Sequence, residues 1–285
     1  MICYVILHYQ AIEETKTCIN SIRANTKDVY KIIIVDNASP NKSGKDLQKE
    51  YERSDDVIVL LNNVNSGFAK GNNIGFKKAK SFCPEYIVVL NSDIELTNDD
   101  FVLKLETAYQ KYNFDVLGPD IYSTQQGYHQ NPQKDVNFTL KELKRTKIKL
   151  YWKNKLKWLL KMKYSLLKQP AEQKVVEKDF KNIQLGKILH GAFYVFSKKF
   201  IDTHTECFYP GTFMYYESYI LSYLGDRENL TFLYYPDILV KHHEDASTNA
   251  TYSDQYKKSV FINRCLLDSC KEFIKIMEDK TIKLG

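Results

Sequence analysis

No apolar run in the 285 residues approaches the roughly 18 to 20 that a membrane-spanning helix needs. Six cysteines (Cys3, Cys18, Cys83, Cys207, Cys265, Cys270) are scattered without CxxC spacing, which argues against a zinc site or a disulfide framework and fits a reducing cytoplasm. Met1 to Leu7 lacks the basic leader and cleavage site of a signal peptide and reads as a strand already within the fold. There is no internal repeat and no Gly/Ser linker, so a single fold with an insertion is expected. GxxxxGK[ST] is missing, and no clean GxGxxG follows the first strand, which removes the P-loop and dinucleotide readings. No RNP-like or helix-turn-helix signature points to nucleic acid.

What is present is ordinary globular composition, 44% hydrophobic and 27% charged, and enough chain to bury a substantial core. The net charge of +6 is uneven: Leu140 to Lys168 holds eleven basic residues against Glu142 alone, a local +10 that leaves −4 elsewhere. Strand and helix signals alternate through the first half. Apolar or β-branched runs at Cys3 to Leu7, Lys31 to Val35, Val57 to Leu61 and Tyr86 to Leu90 are separated by helical patterns at Ile12 to Asn25, Gly44 to Arg53 and Gly71 to Ser81. Such βαβ units predict a mostly parallel sheet whose carboxyl ends gather the turn clusters at Asp36, Asn65 to Gly71 and Asp93 on one edge. Later strands are expected at Asp115 to Pro119, at Lys187 to Phe196 passing through His190-Gly191-Ala192, and at Thr231 to Val240, broken by Pro236.

Three polar clusters carry chemistry. Asn91-Ser92-Asp93 ends the run Tyr86 to Leu90 and would deliver a carboxylate to the sheet mouth, suited to a divalent metal holding a diphosphate; alone it is equally a turn or cap. Asp36 ends another strand, where a carboxylate can accept from a nucleobase or ribose, or cap the next helix. Asn62 to Gly75 is a Gly/Asn-rich turn opening a helix, whose amides can face an anion.

In order and spacing, Ile33-Ile34-Val35-Asp36-Asn37-Ala38-Ser39, Asn65-Ser66-Gly67-Phe68-Ala69-Lys70-Gly71-Asn72-Asn73-Ile74-Gly75 and Leu90-Asn91-Ser92-Asp93 resemble the nucleotide-sugar half of family 2 glycosyltransferases of the GT-A fold, rhamnosyltransferase-like branch. The resemblance implies a GT-A-type α/β fold with helices flanking the central sheet. Residues 1–100 would form a nucleotide-sugar half and 101–250 an acceptor half containing the basic helical insertion 140–168; 251–285 would be a C-terminal helical segment. It further implies that Asp36 and the loop with Asn65, Gly67, Lys70 and Asn72, together with Asn91, hold a nucleoside diphosphate sugar, UDP- or dTDP-linked, and that Asp93 binds Mn2+ or Mg2+. Asn91 stands where many relatives carry Asp. His190-Gly191-Ala192 resembles a small-residue strand on the acceptor side. In Phe213-Met214-Tyr215-Tyr216-Glu217-Ser218-Tyr219, Glu217 matches the family's Glu while Ser218 replaces an acidic position, leaving Glu217 as the general base of inverting transfer. A carboxylate between aromatic residues should have its pKa raised by desolvation. His242, five residues before Ser247, resembles a third metal or phosphate ligand, with His243 competing; alternation lets only one face the site.

Ile148, Trp152, Leu156, Leu159, Leu160, Leu166 and Leu167 fall on one side of a helical wheel, with Lys153, Lys157, Lys161 and Lys168 toward the other. That pattern suits a helix lying on an anionic membrane surface, giving an enzyme peripheral at the cytoplasmic face that serves a glycan acceptor, expected to be lipid-linked, in surface polysaccharide synthesis. A solvated basic face packed on the protein, a partner-binding helix and a nucleic-acid patch are the competing readings, the last disfavoured because the rest of the chain is net negative. For the whole chain, a sugar-1-phosphate nucleotidyltransferase and a non-catalytic scaffold on a decayed transferase fold are the alternatives.

Overall fold

The computed structural model describes residues 1–133, 138–156, 179–244 and 254–285. Its strands are β1 (Ile2–His8), β2 (Tyr30–Asp36), β3 (Val57–Leu61), β4 (Tyr86–Asn91), β5 (Ile94–Leu96), β6 (Val116–Ser123), β7 (Gln184–Leu185), β8 (Phe193–Ser197) and β9 (Phe232–His242). The helices are α1 (Ile12–Asn25), α2 (Ser43–Glu50), α3 (Gly67–Lys80), α4 (Phe101–Tyr112), α5 (Leu140–Lys155), α6 (Lys198–Thr203), α7 (Glu217–Arg227) and α8 (Gln255–Glu278).

All nine strands join one sheet in the order β3-β2-β1-β4-β8-β6-β9-β5, with β7 also on β9. The apolar runs of β1, β2 and β4 are buried on both faces, as parallel strands covered by helices must be, whereas the edge strand β3 is largely half-buried. Cys3, Val5, Ile33, Val35, Ile87 and Val89 face α3, whereas Tyr4, Ile6, Ile32, Ile34, Val88 and Leu90 face α1, α2 and α4. Gly75 lets α3 settle onto the sheet, since a Cβ there would stand 2.3 Å from Val5 Cγ1.

The expected parallel order holds for β3-β2-β1-β4. Beyond it the sheet is mixed: β8 runs antiparallel to both β4 and β6, β9 is parallel to β6, and β5 and β7 are antiparallel to β9. Two strand expectations shift. His190, Gly191 and Ala192 form a turn before β8 rather than part of it. Pro236 does not break β9; the register against β6 jumps from Tyr235 to Leu239, so the proline lies in a bulge, where its missing N–H costs no ladder bond.

The basic segment is described only to Leu156; Leu159, Leu160, Leu166, Leu167, Lys157, Lys161 and Lys168 lie outside the described residues, as does Ser247. Glu142, its one acid, closes a capping box: Thr139 Oγ1 accepts from the Glu142 N–H at 3.2 Å and the Thr139 N–H donates to Glu142 Oε2 at 2.9 Å. The helix is less detached than an insertion would be, because Leu143 and Leu150 are buried with Leu267, Cys270 and Phe273 of α8. Ile148 and Trp152, 55% and 56% exposed, form a second apolar stripe facing outward. Among the described residues no helix is long and apolar enough to cross a membrane, and all six cysteines are free.

Candidate active site

The carboxyl ends of β1, β2 and β4 open into a cleft of about 610 Å³, within the range of pockets that enclose small ligands. One end is lined by Leu7, Tyr9, Asn37, Asn65 and Gly67, and the rest of the cleft by Asn91, Ser92, Asp93, Gln133, His190, Tyr215, Glu217, Tyr219, His242 and Phe261.

Asn37, buried immediately after β2, organises the first end. Its Nδ2 donates to Asn65 Oδ1 (2.9 Å) and to the Gly67 carbonyl (3.1 Å), and its Oδ1 accepts from the Ser66 N–H at 3.0 Å. Asn65 Oδ1 in turn accepts from the Gly67 N–H at 3.0 Å. The neighbouring Asp36 stays out of the cleft wall, with its carboxylate accepting from the Ser39 hydroxyl at 2.5 Å. Lys70 and Asn72 are also outside it. Lys70 is exposed on α3, and Asn72 is buried with its Nδ2 donating to the Phe68 carbonyl of its own helix at 3.0 Å. The helix that carries them begins at Gly67, not Gly71.

Asp93 sits in the two-residue turn between β4 and β5 and is 8% exposed, yet its Oδ1 has no hydrogen-bond partner. The antiparallel pairing of Ile94 with His242 sets the histidine beside it, with Nε2 3.2 Å from Asp93 Oδ1. His242 Nδ1 lies 2.7 Å from Gln130 Oε1. Strand alternation resolves the histidine pair: His243 turns outward, with Nε2 2.9 Å from Glu95 Oε2. Two donors each about 2.1 Å from one octahedral ion stand about 3 Å apart, so Asp93 and His242 fit a shared cation. Among the described residues no group of three or more His, Cys, Asp or Glu could hold a metal. Asn91 lines the cleft, anchored by its N–H donating to the Ala192 carbonyl at 2.9 Å.

Glu217 opens α7 after two residues with left-handed backbone, Tyr215 (φ 73°) and Tyr216 (φ 68°). Neither is glycine, so each costs on the order of 1 to 2 kcal/mol. The loop is held from two sides: Phe68 N–H donates to the Phe213 carbonyl at 2.7 Å, and Ser269 of α8 donates to the Met214 carbonyl at 2.8 Å. Burial pushes the Glu217 carboxyl up to about 8, and its Oε1 has no hydrogen-bond partner. Ser218, at the family's acidic position, shares a 2.9 Å hydrogen bond with the buried Tyr194 hydroxyl.

Sequence reasoning missed Tyr9, Asn37, Gln130, Gln133 and Glu244. Asn37 stood beside a residue already singled out; the glutamines carry no local signal.

The sequence matches the family model "Glycosyl transferase family 2" over residues 3–175, more than half of the chain. It is 26% identical over 118 residues to the low-salt glycan biosynthesis hexosyltransferase Agl10 of Haloferax volcanii, a match covering 41% of this chain and 35% of that protein. Over 142 residues it is 25% identical to the uncharacterized glycosyltransferase EpsJ of Bacillus subtilis, covering 49% and 40%. The matches thus span less than half the length of either relative. In fold it resembles GalNAc-T7, solved with UDP, GalNAc and Mn2+ (TM-score 0.57, 15% identity, 100% of this chain and 55% of that one). It also resembles S. aureus TarS 1–349 in complex with UDP-GlcNAc (TM-score 0.51, 12% identity, 92% and 66%). The four parallel strands, the cleft at their carboxyl ends and the sequence match agree: the chain belongs to glycosyl transferase family 2.

Proposed function

We propose that the protein transfers a sugar, with inversion, from a nucleoside diphosphate sugar to a glycan acceptor, with a divalent cation bound at Asp93 and His242. The observation that carries this reading is a set of unpartnered acceptor atoms in one cleft: Asp93 Oδ1, Gln133 Oε1 and Glu217 Oε1. Buried acceptors without donors are costly, so the occupant should bring a cation and hydroxyl groups. A nucleotide sugar with its metal and a sugar acceptor bring both.

In this reading the nucleoside lies against Tyr9, Asn37 and Asn65, and the diphosphate lies over Asn91 and Asp93. The cation, Mn2+ or Mg2+, would neutralise charge developing on the departing diphosphate. Glu217 takes the proton from the acceptor hydroxyl as that oxygen attacks the anomeric carbon. A carboxyl raised to about 8 is a stronger base than an ordinary one. Asp36, Lys70 and Asn72 then support the donor loop from behind, without touching the donor.

The outward stripe of α5 supports peripheral attachment to an anionic membrane. Ile148, Tyr151 and Trp152 are exposed beside Lys147 and Lys271, so apolar side chains could enter the interface while ammonium groups meet headgroups. A lipid-linked acceptor at the inner membrane face would suit that placement.

The test is a panel of UDP-, dTDP- and GDP-sugars with Mn2+ or Mg2+, monitored by calorimetry and by nucleoside diphosphate release. Donor binding that needs the cation and is lost in Asp93→Ala is the expected result. Absence of binding and turnover across the panel would overturn the proposal, and liposome binding in that case would favour the scaffold reading.

A further inference from the structure

We propose that Gln130 and Glu244 are positioning residues that hold the His242 imidazole in the tautomer with the proton on Nδ1. The assignment follows from counting hydrogens. A carboxylate only accepts, and Glu244 accepts from two amides: Gln126 Nε2 at 2.6 Å and Gln130 Nε2. With its NH2 group committed to Glu244, Gln130 can present only its carbonyl oxygen to His242. That oxygen is the atom 2.7 Å from His242 Nδ1, and it cannot donate, so the ring nitrogen must. Both Gln130 and Glu244 are buried in the wall of the cleft. The backbone around Glu244 is fixed as well: Gln125 Nε2 donates to the His243 carbonyl at 2.7 Å and to the Glu244 carbonyl at 3.0 Å.

The consequence lies on the other side of the ring. A neutral His242 protonated on Nδ1 turns a lone pair on Nε2 toward Asp93 Oδ1, 3.2 Å away. Two lone pairs at that distance repel unless a cation or a proton lies between them. The opposite tautomer would let Nε2–H donate to Asp93, so the pair would satisfy itself. The amide and carboxylate behind the ring disfavour that self-satisfied state and keep the pair open for a metal. This is a hydrogen-bonded support behind a ligand of the kind that tunes metal affinity about 10- to 100-fold.

The inference rests on the proposed metal site, and two readouts separate them. Long-range 1H–15N spectra of metal-free, histidine-labelled protein at pH above ~8, where an ordinary imidazole is neutral, report the tautomer directly. Wild type is expected to show His242 protonated on Nδ1. Glu244→Gln, which lets the Gln130 amide turn over, and Gln130→Met, which removes the carbonyl, are each expected to move His242 toward the Nε2–H form. Mn2+ affinity, measured by electron paramagnetic resonance, should fall about 10-fold or more in both, with melting temperatures confirming that the variants fold. An Nε2–H tautomer in wild type overturns the proposal, as does an unchanged tautomer and Mn2+ affinity in the folded variants. If wild type shows the Nδ1–H tautomer and binds no Mn2+, the metal reading fails and the relay to His242 stands.

Discussion

The Phe68 N–H and the Phe213 carbonyl are joined at 2.7 Å, tying the first turn of α3 to the loop that presents Glu217. Gly67, with φ +80°, makes that approach possible: a Cβ there would stand 2.2 Å from the Phe213 oxygen. Gly67→Ala should therefore lose roughly 1 to 3 kcal/mol of stability from backbone strain, and it should push the Glu217 loop away from the donor end. Denaturant unfolding and donor calorimetry check both parts. Wild-type stability with wild-type kcat would show that the two loops are not coupled.

Asn73 makes a second tie. Its Nδ2 donates to the Phe208 carbonyl at 2.7 Å, and its Oδ1 accepts from the N–H groups of Cys207 (3.1 Å) and Phe208 (3.0 Å). Asn73→Ala leaves three buried backbone groups without partners and should cost about 2 to 4 kcal/mol, measured as a lower urea midpoint at unchanged m-value. A loss below ~0.5 kcal/mol would mean that water replaces the side chain.

If Glu217 is the base proposed above, it links activity to pH. Acting as a base it must be ionised, so kcat should climb as pH rises toward about 8 and level off beyond. Stability should move the other way. The folded carboxyl holds its proton up to about 8, whereas the unfolded one releases it near 4.5, so folding takes up a proton between those values. The contribution is fully present below 4.5 and is lost as pH rises through 8. Glu217→Gln should flatten this stability profile, retain donor binding and lower kcat by roughly 10²- to 10⁴-fold. Normal transfer by Glu217→Gln would reassign the base.

The outward stripe of α5 can be tested without touching the core. Replacing Ile148 and Trp152 together with serine removes two exposed apolar groups, so the melting temperature should hardly change. Sedimentation with phosphatidylglycerol vesicles should weaken more than about tenfold, from the lost apolar burial, and salt should weaken the wild-type interaction. Equal sedimentation of variant and wild type would leave the stripe to a protein partner or to solvent.

The parallel part of the sheet was readable because its information is local. Ile32 to Val35 and Ile87 to Leu90 are buried on both faces, and a run of apolar residues between turn clusters has few other ways to fold. The direction of β8 is not local: nothing in Phe193 to Ser197 says that it will enter antiparallel between β4 and β6. Pro236 misled for the same reason, since whether a proline breaks a strand depends on the partner it would have bonded. On α5 the lysines and outward aromatics dominated the pattern and hid the shorter buried pair, Leu143 and Leu150. At the site, Asp93, Glu217 and His242 stood in recognisable surroundings, whereas Gln130 and Glu244 matter through contacts that cross more than a hundred residues of chain.

The antiparallel seat of β9 on β5 has a consequence for how the protein acquires its properties during synthesis. Contacts between distant segments form late, because the intervening chain must first be ordered. A nascent polypeptide that has built only β1 to β4 already carries Asp93, but His242 arrives with the penultimate stretch of the described structure. Under the proposed metal site, capture of the cation would therefore wait on β9, because a copy truncated before it would lack His242 beside Asp93.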